Sequence, residues 1–365
     1  MKYQKIVLVF PGQGSQYVGM GKNLYDNFKV VRDAYAQAND VLGEDITKIC
    51  FTGKTPKKSF EDLLEQIKLY IKKVSQSKSG KQDVNGNNEG KNQLSKYRGS
   101  LLDMTRYTQP AVYTTSYASY KALEEALEGK LVPYSVAGHS LGEYTALTVA
   151  GAIDFETGLR LVKKRALIME DTSKLHRGGL IAVIDKEKQI NIVELKKLCR
   201  ENYGFISLIN SPHMVVVGSP ERALNLLEKK LRESGKKAIR LGLEGEFHTP
   251  DMISAGQKLE NELERKEKGA DVYLISSAKI PVIANVTAQP IMKQEEIKEE
   301  LHLQMYRSVN FYGSIESSIK DGAQAFIEIG PKMVSRFIHE TNPNVPVLNV
   351  YDMKSLEETV RELRG

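Results

Sequence analysis

Apolar residues fall along this chain in two alternating patterns. Ile6-Val7-Leu8-Val9-Phe10 is an unbroken apolar run that stops at Pro11-Gly12, as a strand buried on both faces of a parallel sheet does. Residues 111–127 carry helical spacing, 134–138 read as a second short strand and 143–150 as a second helix. Toward the C-terminus, the runs at 325–329 and 345–350 predict two more strands. Strand and helix taking turns in this way point to an α/β fold around a mostly parallel sheet.

The middle of the chain changes rhythm. A strand at 178–184, a helix at 192–202, a strand pair at 205–209 and 214–217, a helix at 221–234 and a strand at 238–241 spell β-α-β-β-α-β, the ferredoxin-like order. Residues 177–244 are therefore expected to form a small inserted subdomain, with 1–176 and 245–365 making the large one. A second interruption spans 53–100. Its latter part, SQSKSGKQDVNGNNEGKNQLSKYRG at 75–99, has almost nothing apolar to bury and is expected to be a disordered surface insertion. A short helix at 60–67 is expected to lead into it.

Charge changes the picture less than its total suggests. The formal net charge is +6, but residues 53–100 alone hold eleven basic and five acidic side chains, and the remaining 41 basic and 41 acidic residues balance. A basic nucleic-acid face is thus no property of the fold. No run of eighteen apolar residues occurs, which argues against a membrane span. The two cysteines, Cys50 and Cys199, lie far apart without a CxxC or a histidine-rich neighbour, so neither a disulfide framework nor a metal site is indicated. The N-terminus enters its first strand almost at once, which leaves no room for a signal or transit peptide ahead of it.

Two segments carry chemistry. Gly138-His139-Ser140-Leu141-Gly142 is a G-x-S-x-G between a predicted strand and a predicted helix. Such a turn lifts a serine hydroxyl clear at a helix N-terminus, where free N–H groups such as that of Leu141 stabilise negative charge. The motif alone leaves open a structural turn, a hydrolase that passes the acyl group to water, and a transferase that passes it to a thiol. The second segment, Phe10-Pro11-Gly12-Gln13-Gly14-Ser15-Gln16, exposes backbone amides at the C-terminal end of the first strand, where ligand sites of open α/β sheets lie. It is a poor phosphate loop, since no Lys-Ser/Thr follows. Six histidines are present, and nothing in the spacing selects one as a base.

Taken together, FPGQGSQ at 10–16, TQPA at 108–111, GHSLGEYTAL at 138–147, KRALIME at 164–170, EFHTPDM at 246–252 and EIGP at 328–331 resemble the malonyl-CoA:acyl carrier protein transacylases and the acyltransferase domains of fatty acid and polyketide synthases. The resemblance covers most of the chain outside the insertion. It implies an α/β-hydrolase-like large subdomain with a parallel sheet, and a ferredoxin-like small one. It makes Ser140 the nucleophile and His248 its base. The carbonyl of Gln304 takes the place of the usual orienting carboxylate, and Arg165 grips the free carboxylate of malonyl-CoA. Gln13 and Leu141 supply the oxyanion N–H groups. Leu141 and Phe247 accompany malonyl rather than methylmalonyl selectivity.

The resemblance further implies phosphopantetheinylated acyl carrier protein as acceptor, no redox or metal cofactor, and a monomer. His139 is expected to point away from Ser140 and pack. Lys163, Lys164 or Lys332 would form a local patch for an acidic carrier. Two departures stand out: Lys332-Met333 follows EIGP in place of Gly-Lys, and Ser308-Val309-Asn310-Phe311 replaces Ser-Pro-Val-x-Trp. The insertion suggests a eukaryotic stand-alone enzyme, hence a mitochondrial address by analogy, with the cytoplasm as alternative.

Overall fold

The computed structural model describes residues 1–54 and 100–365. The expected helix at 60–67 and the expected disorder at 75–99 lie outside the described residues. Gly53 O accepts the N–H of Leu101 at 2.9 Å, so the chain leaves and returns at a single point on the body.

Twelve strands occur among the described residues: β1 Ile6–Phe10, β2 Ser135–Gly138, β3 Gly178–Ile184, β4 Phe205–Ser211, β5 Met214–Pro220, β6 Lys237–Glu244, β7 Lys266–Glu267, β8 Ala270–Asp271, β9 Val282–Ile283, β10 Pro290–Ile291, β11 Ala325–Ile329 and β12 Val347–Val350. The main sheet runs β10-β9-β2-β1-β11-β12. All its neighbours are parallel except the edge strand β10. Every residue of β1 is buried, and alternation divides them between two cores. Ile6, Leu8 and Phe10 join the cluster that includes the helices Thr105–Ala126 and Phe155–Leu175. Val7 and Val9 join the one formed with the helices Phe311–Lys320 and Ser335–Thr341. A central strand covered on both faces has no polar side to show, which explains the unbroken apolar run.

The second sheet, β4-β5-β3-β6, is antiparallel throughout. The helices Ile192–Glu201 and Glu221–Glu233 bury their apolar stripes with it around Ile181, Val183, Val215 and Val217. The β-α-β-β-α-β order read from the sequence is thus the observed one. β4 is also stitched to the main body. Ile209 N–H donates to Val309 O at 2.8 Å, Val309 N–H donates to Ser207 O at 2.9 Å, and Ser207 Oγ donates to Phe247 O at 2.7 Å.

The helix expected at 111–127 starts earlier, at Thr105, and carries Pro110 within it. Proline there removes one backbone bond, while Thr108 Oγ1 ahead of it donates to Leu102 O at 2.5 Å and to Met104 O at 2.9 Å. Among the described residues no helix is long and apolar enough to cross a membrane.

Candidate active site

β2 ends at Gly138, the chain turns through His139-Ser140-Leu141, and the helix Gly142–Val149 begins at once. So tight a turn needs glycine on both sides. A Cβ on Gly142 would sit 2.1 Å from Phe10 O, and one on Gly138 would sit 2.0 Å from the carbonyl carbon of Gly142. Ser140 itself has φ 51°, a left-handed conformation that costs a non-glycine residue about 1–3 kcal/mol. Both its peptide groups are held from outside: Ser140 N–H donates to Asn285 Oδ1 at 2.7 Å, and Gln304 Nε2 donates to Ser140 O at 3.0 Å.

His248 follows β6, also at positive φ, 61°. Its Nε2 lies 2.7 Å from Ser140 Oγ, and its Nδ1 lies 2.6 Å from Gln304 O. A carbonyl can only accept, so Nδ1 carries the proton and Nε2 is left as acceptor for the serine hydroxyl. Burial, with the positive charge of Arg165 as second cause, lowers the imidazole from its ordinary value of 6.5 to about 3. The ring is therefore neutral and able to take a proton. Phe247 is buried beside it.

Arg165, on the inner face of Phe155–Leu175, is only 1% exposed. Nη1 donates to Gln109 Oε1 at 2.8 Å, and Nη2 donates to Gln304 Oε1 at 2.8 Å and to Ser140 Oγ at 3.0 Å. The guanidinium also lies over the ring of Tyr144, 5.3 Å from its centroid. Nε–H has no acceptor, and among the described residues no carboxylate forms an ion pair with the group. A buried cation with neutral acceptors alone, beside a nucleophilic hydroxyl, is set to receive an anionic group. The backbone N–H groups of Gln13 and Leu141 likewise have no protein acceptor among the described residues. The side chain of Gln13 is turned aside, its Nε2 donating to Thr105 Oγ1 at 3.0 Å.

The structure thus brings Ser140, His248, Gln304 and Arg165 into one hydrogen-bonded set. Gln304 is fully buried and serves twice, by its carbonyl toward His248 and by its amide toward Arg165. His139 packs, as expected, against Phe311 and Phe337, with Nε2 2.8 Å from Asn210 Oδ1. The lysine patch is corrected: Lys163 pairs with Glu44 at 3.0 Å and Lys164 with Glu262 at 2.7 Å, so only Lys332 of the three stays exposed without an ion-pair partner in the described residues. Sequence reasoning missed Gln109, Asn285 and Glu143. Gln109 stood inside a recognised motif, and Glu143 closes GHSLGE. Asn285 carries no local signal.

EIGP also gains a physical reason. The buried carboxylate of Glu328 accepts from Met333 N–H at 2.6 Å, Val334 N–H at 2.7 Å and Ser335 N–H at 2.9 Å. It caps the helix that follows, so replacing Gly-Lys by Lys332-Met333 leaves that turn intact.

A serine poised on a neutral histidine, with the free N–H of Leu141 next to it in the chain and an unanswered cation at its hydroxyl, is built to carry an acyl group as an ester. That defines a serine-dependent acyl-transfer site. Residues 7–354 match the acyl transferase domain family model, and the chain belongs to that family. It is 30% identical over 363 residues to the malonyl CoA-acyl carrier protein transacylase of Bacillus subtilis (strain 168), covering 99% of this chain and 98% of that protein. Among solved structures, the malonyl CoA-acyl carrier protein transacylase of Clostridium perfringens superposes with a TM-score of 0.79 at 31% identity, covering 99% of this chain and 98% of that one. A malonyl-transacylase solved in complex with its type II polyketide acyl-carrier protein superposes with a TM-score of 0.79 at 26% identity, over 98% of this chain and 100% of that one.

Proposed function

We propose that this enzyme transfers a malonyl group from malonyl-CoA to the phosphopantetheine thiol of an acyl carrier protein, through a malonyl ester on Ser140, and so serves fatty acid synthesis. The observation that carries the reading is Arg165: buried, without a carboxylate partner in the described residues, and 3.0 Å from Ser140 Oγ. Malonyl-CoA brings the missing carboxylate on the acyl group that Ser140 attacks.

The Ser140 hydroxyl gives its proton to His248 Nε2 as Oγ bonds to the thioester carbon. The oxyanion rests on the N–H groups of Gln13 and Leu141, one such donor being worth about 3 kcal/mol. As the C–S bond breaks, His248 returns the proton to the departing coenzyme A thiolate. The carrier thiol then gives His248 its proton and attacks the ester, and Ser140 leaves with that proton. Substrate binding also prepares the base. A carboxylate on Arg165 cancels the charge that helps to hold His248 down, so the imidazole becomes more basic when the correct acyl group is present. Ser140 and His248 are only 8% and 4% exposed, which limits hydrolysis of the ester.

The carrier as acceptor is supported by the relative solved with its carrier protein. The test is a transfer assay with malonyl-CoA and phosphopantetheinylated carrier, following malonyl-carrier and free malonate together. Malonyl-carrier forming faster than malonate supports the proposal; malonate alone would make the protein a thioesterase.

A further inference from the structure

We propose that Glu143 is the positioning carboxylate of the Ser140–His248 pair, acting on both members through Asn285, which it holds at the backbone, and Gln304, which it holds at the side-chain amide. The inference rests on the reading of those two residues as the reacting pair. In a triad the carboxylate touches the histidine directly. Here a backbone carbonyl takes that place, and the carboxylate stands one residue further out, on the first turn of the helix that follows the nucleophile.

Glu143 is fully buried. Oε1 accepts the N–H of Asn285 at 2.9 Å, and Oε2 accepts from Gln304 Nε2. Asn285, so fixed, accepts from Ser140 N–H at 2.7 Å and donates through Nδ2 to Gly138 O at 2.7 Å. It thereby holds the strained peptide before the nucleophile. Gln304, so fixed, donates to Ser140 O, turns Oε1 to Arg165, and offers its own carbonyl to His248 Nδ1. One carboxylate thus anchors the backbone at Asn285 and the side-chain amide of Gln304, and these two residues reach Ser140, Arg165 and His248.

Chemistry makes the choice of residue specific. Both oxygens of Glu143 receive N–H donors, which only a carboxylate can do. A second buried carboxyl, Glu300, accepts from Val286 N–H at 2.8 Å. Burial first, and their mutual repulsion, raise Glu143, while burial raises Glu300 to about 7. Both oxygens of Glu143 are engaged as acceptors, the arrangement of an ionised carboxylate. In Glu143→Gln one of the two N–H groups would meet an NH2. The Gln304 amide would then turn over and present a donor to Arg165.

The test compares the wild type, Glu143→Gln and the double variant Glu143→Gln with Gln304→Glu, with thermal melting run on each. The first readout is the rate at which a neutral fluorophosphonate labels Ser140. It needs no malonyl-CoA, so failure of the proposed function and failure of this inference are told apart. Glu143→Gln is expected to label about 10- to 100-fold more slowly, the scale of a small misplacement of reacting groups. Its KM for malonyl-CoA should also rise, because the guanidinium of Arg165, no longer held by Gln304 Oε1, loses the orientation in which it meets the substrate carboxylate. The double variant exchanges carboxylate and amide. Labelling is expected to recover in part, since donor and acceptor again match between positions 143 and 304 while Ser140 O loses the donor that Gln304 gave it, and the malonyl-CoA KM stays high because the carboxylate moved to position 304 would answer Arg165 itself. Wild-type labelling in Glu143→Gln at a temperature where it is folded would overturn the inference, since a merely structural role predicts that result. Labelling in the double variant no faster than in Glu143→Gln would overturn it as well.

Discussion

Replacing Arg165 by methionine separates charge from shape. The side chains are of similar length, and Arg165 is fully enclosed, so the pocket keeps an apolar filling while its cation disappears. Gln109 Oε1 and Gln304 Oε1 lose the same donor whether substrate is bound or not, so that cost cancels from the comparison. What does not cancel is the bond to the malonyl carboxylate. A hydrogen bond to a charged group is worth about 1.5–3 kcal/mol, and a guanidinium offers two. The loss is at least about 3 kcal/mol, which at 1.36 kcal/mol per decade lowers kcat/KM for malonyl-CoA by about 100-fold or more. Acetyl-CoA brings no carboxylate and should change by less than about tenfold. The assay is transfer to a phosphopantetheinylated carrier from each donor, with active enzyme counted by fluorophosphonate titration. If both donors lose the same factor, Arg165 supports the fold and not the choice of acyl group.

Three further outcomes follow from the same geometry. Because His248 stays neutral down to about 3 in the folded protein, the acid limb of kcat/KM should lie well below the ordinary 6.5. Arg165→Met should move that limb upward, and a wild-type limb at the ordinary value would contradict the burial argument. The unfolded chain binds a proton at this histidine below 6.5 while the native one does not until about 3. Its contribution to stability therefore falls as pH drops through that window, and His248→Gln should flatten this part of a melting-temperature profile. Gly142→Ala would press a methyl to 2.1 Å from Phe10 O, where backbone cannot yield. Denaturant titration is expected to show a loss of about 3 kcal/mol, and an unchanged midpoint would mean that the elbow is looser than described.

How much of this was written in the sequence depends on how each residue does its work. The strand β1 was legible because burial on both faces leaves an unbroken apolar run, and the small sheet because its order of elements has few alternatives. Ser140 was legible because its turn demands glycines at fixed offsets. His248 was not selected by any local pattern and emerged only through the family motif. Asn285 and Glu143 lie 142 residues apart in the chain and bond at 2.9 Å, a relation that no spacing rule encodes. Gln304 was read for its carbonyl alone, since side-chain direction follows from packing that a linear string does not hold. Lys163 and Lys164 misled for the same reason: a basic run suggests a free face until folding brings Glu44 and Glu262 against it.

The central claim is a malonyl ester on Ser140, and intact mass spectrometry of the protein mixed with malonyl-CoA tests it most directly, followed by peptide mapping and a parallel Ser140→Ala sample. The account predicts one malonyl adduct, mapped to Ser140, absent from Ser140→Ala and discharged on addition of phosphopantetheinylated carrier protein. An adduct that persists in Ser140→Ala, or no adduct while transfer proceeds, would contradict it.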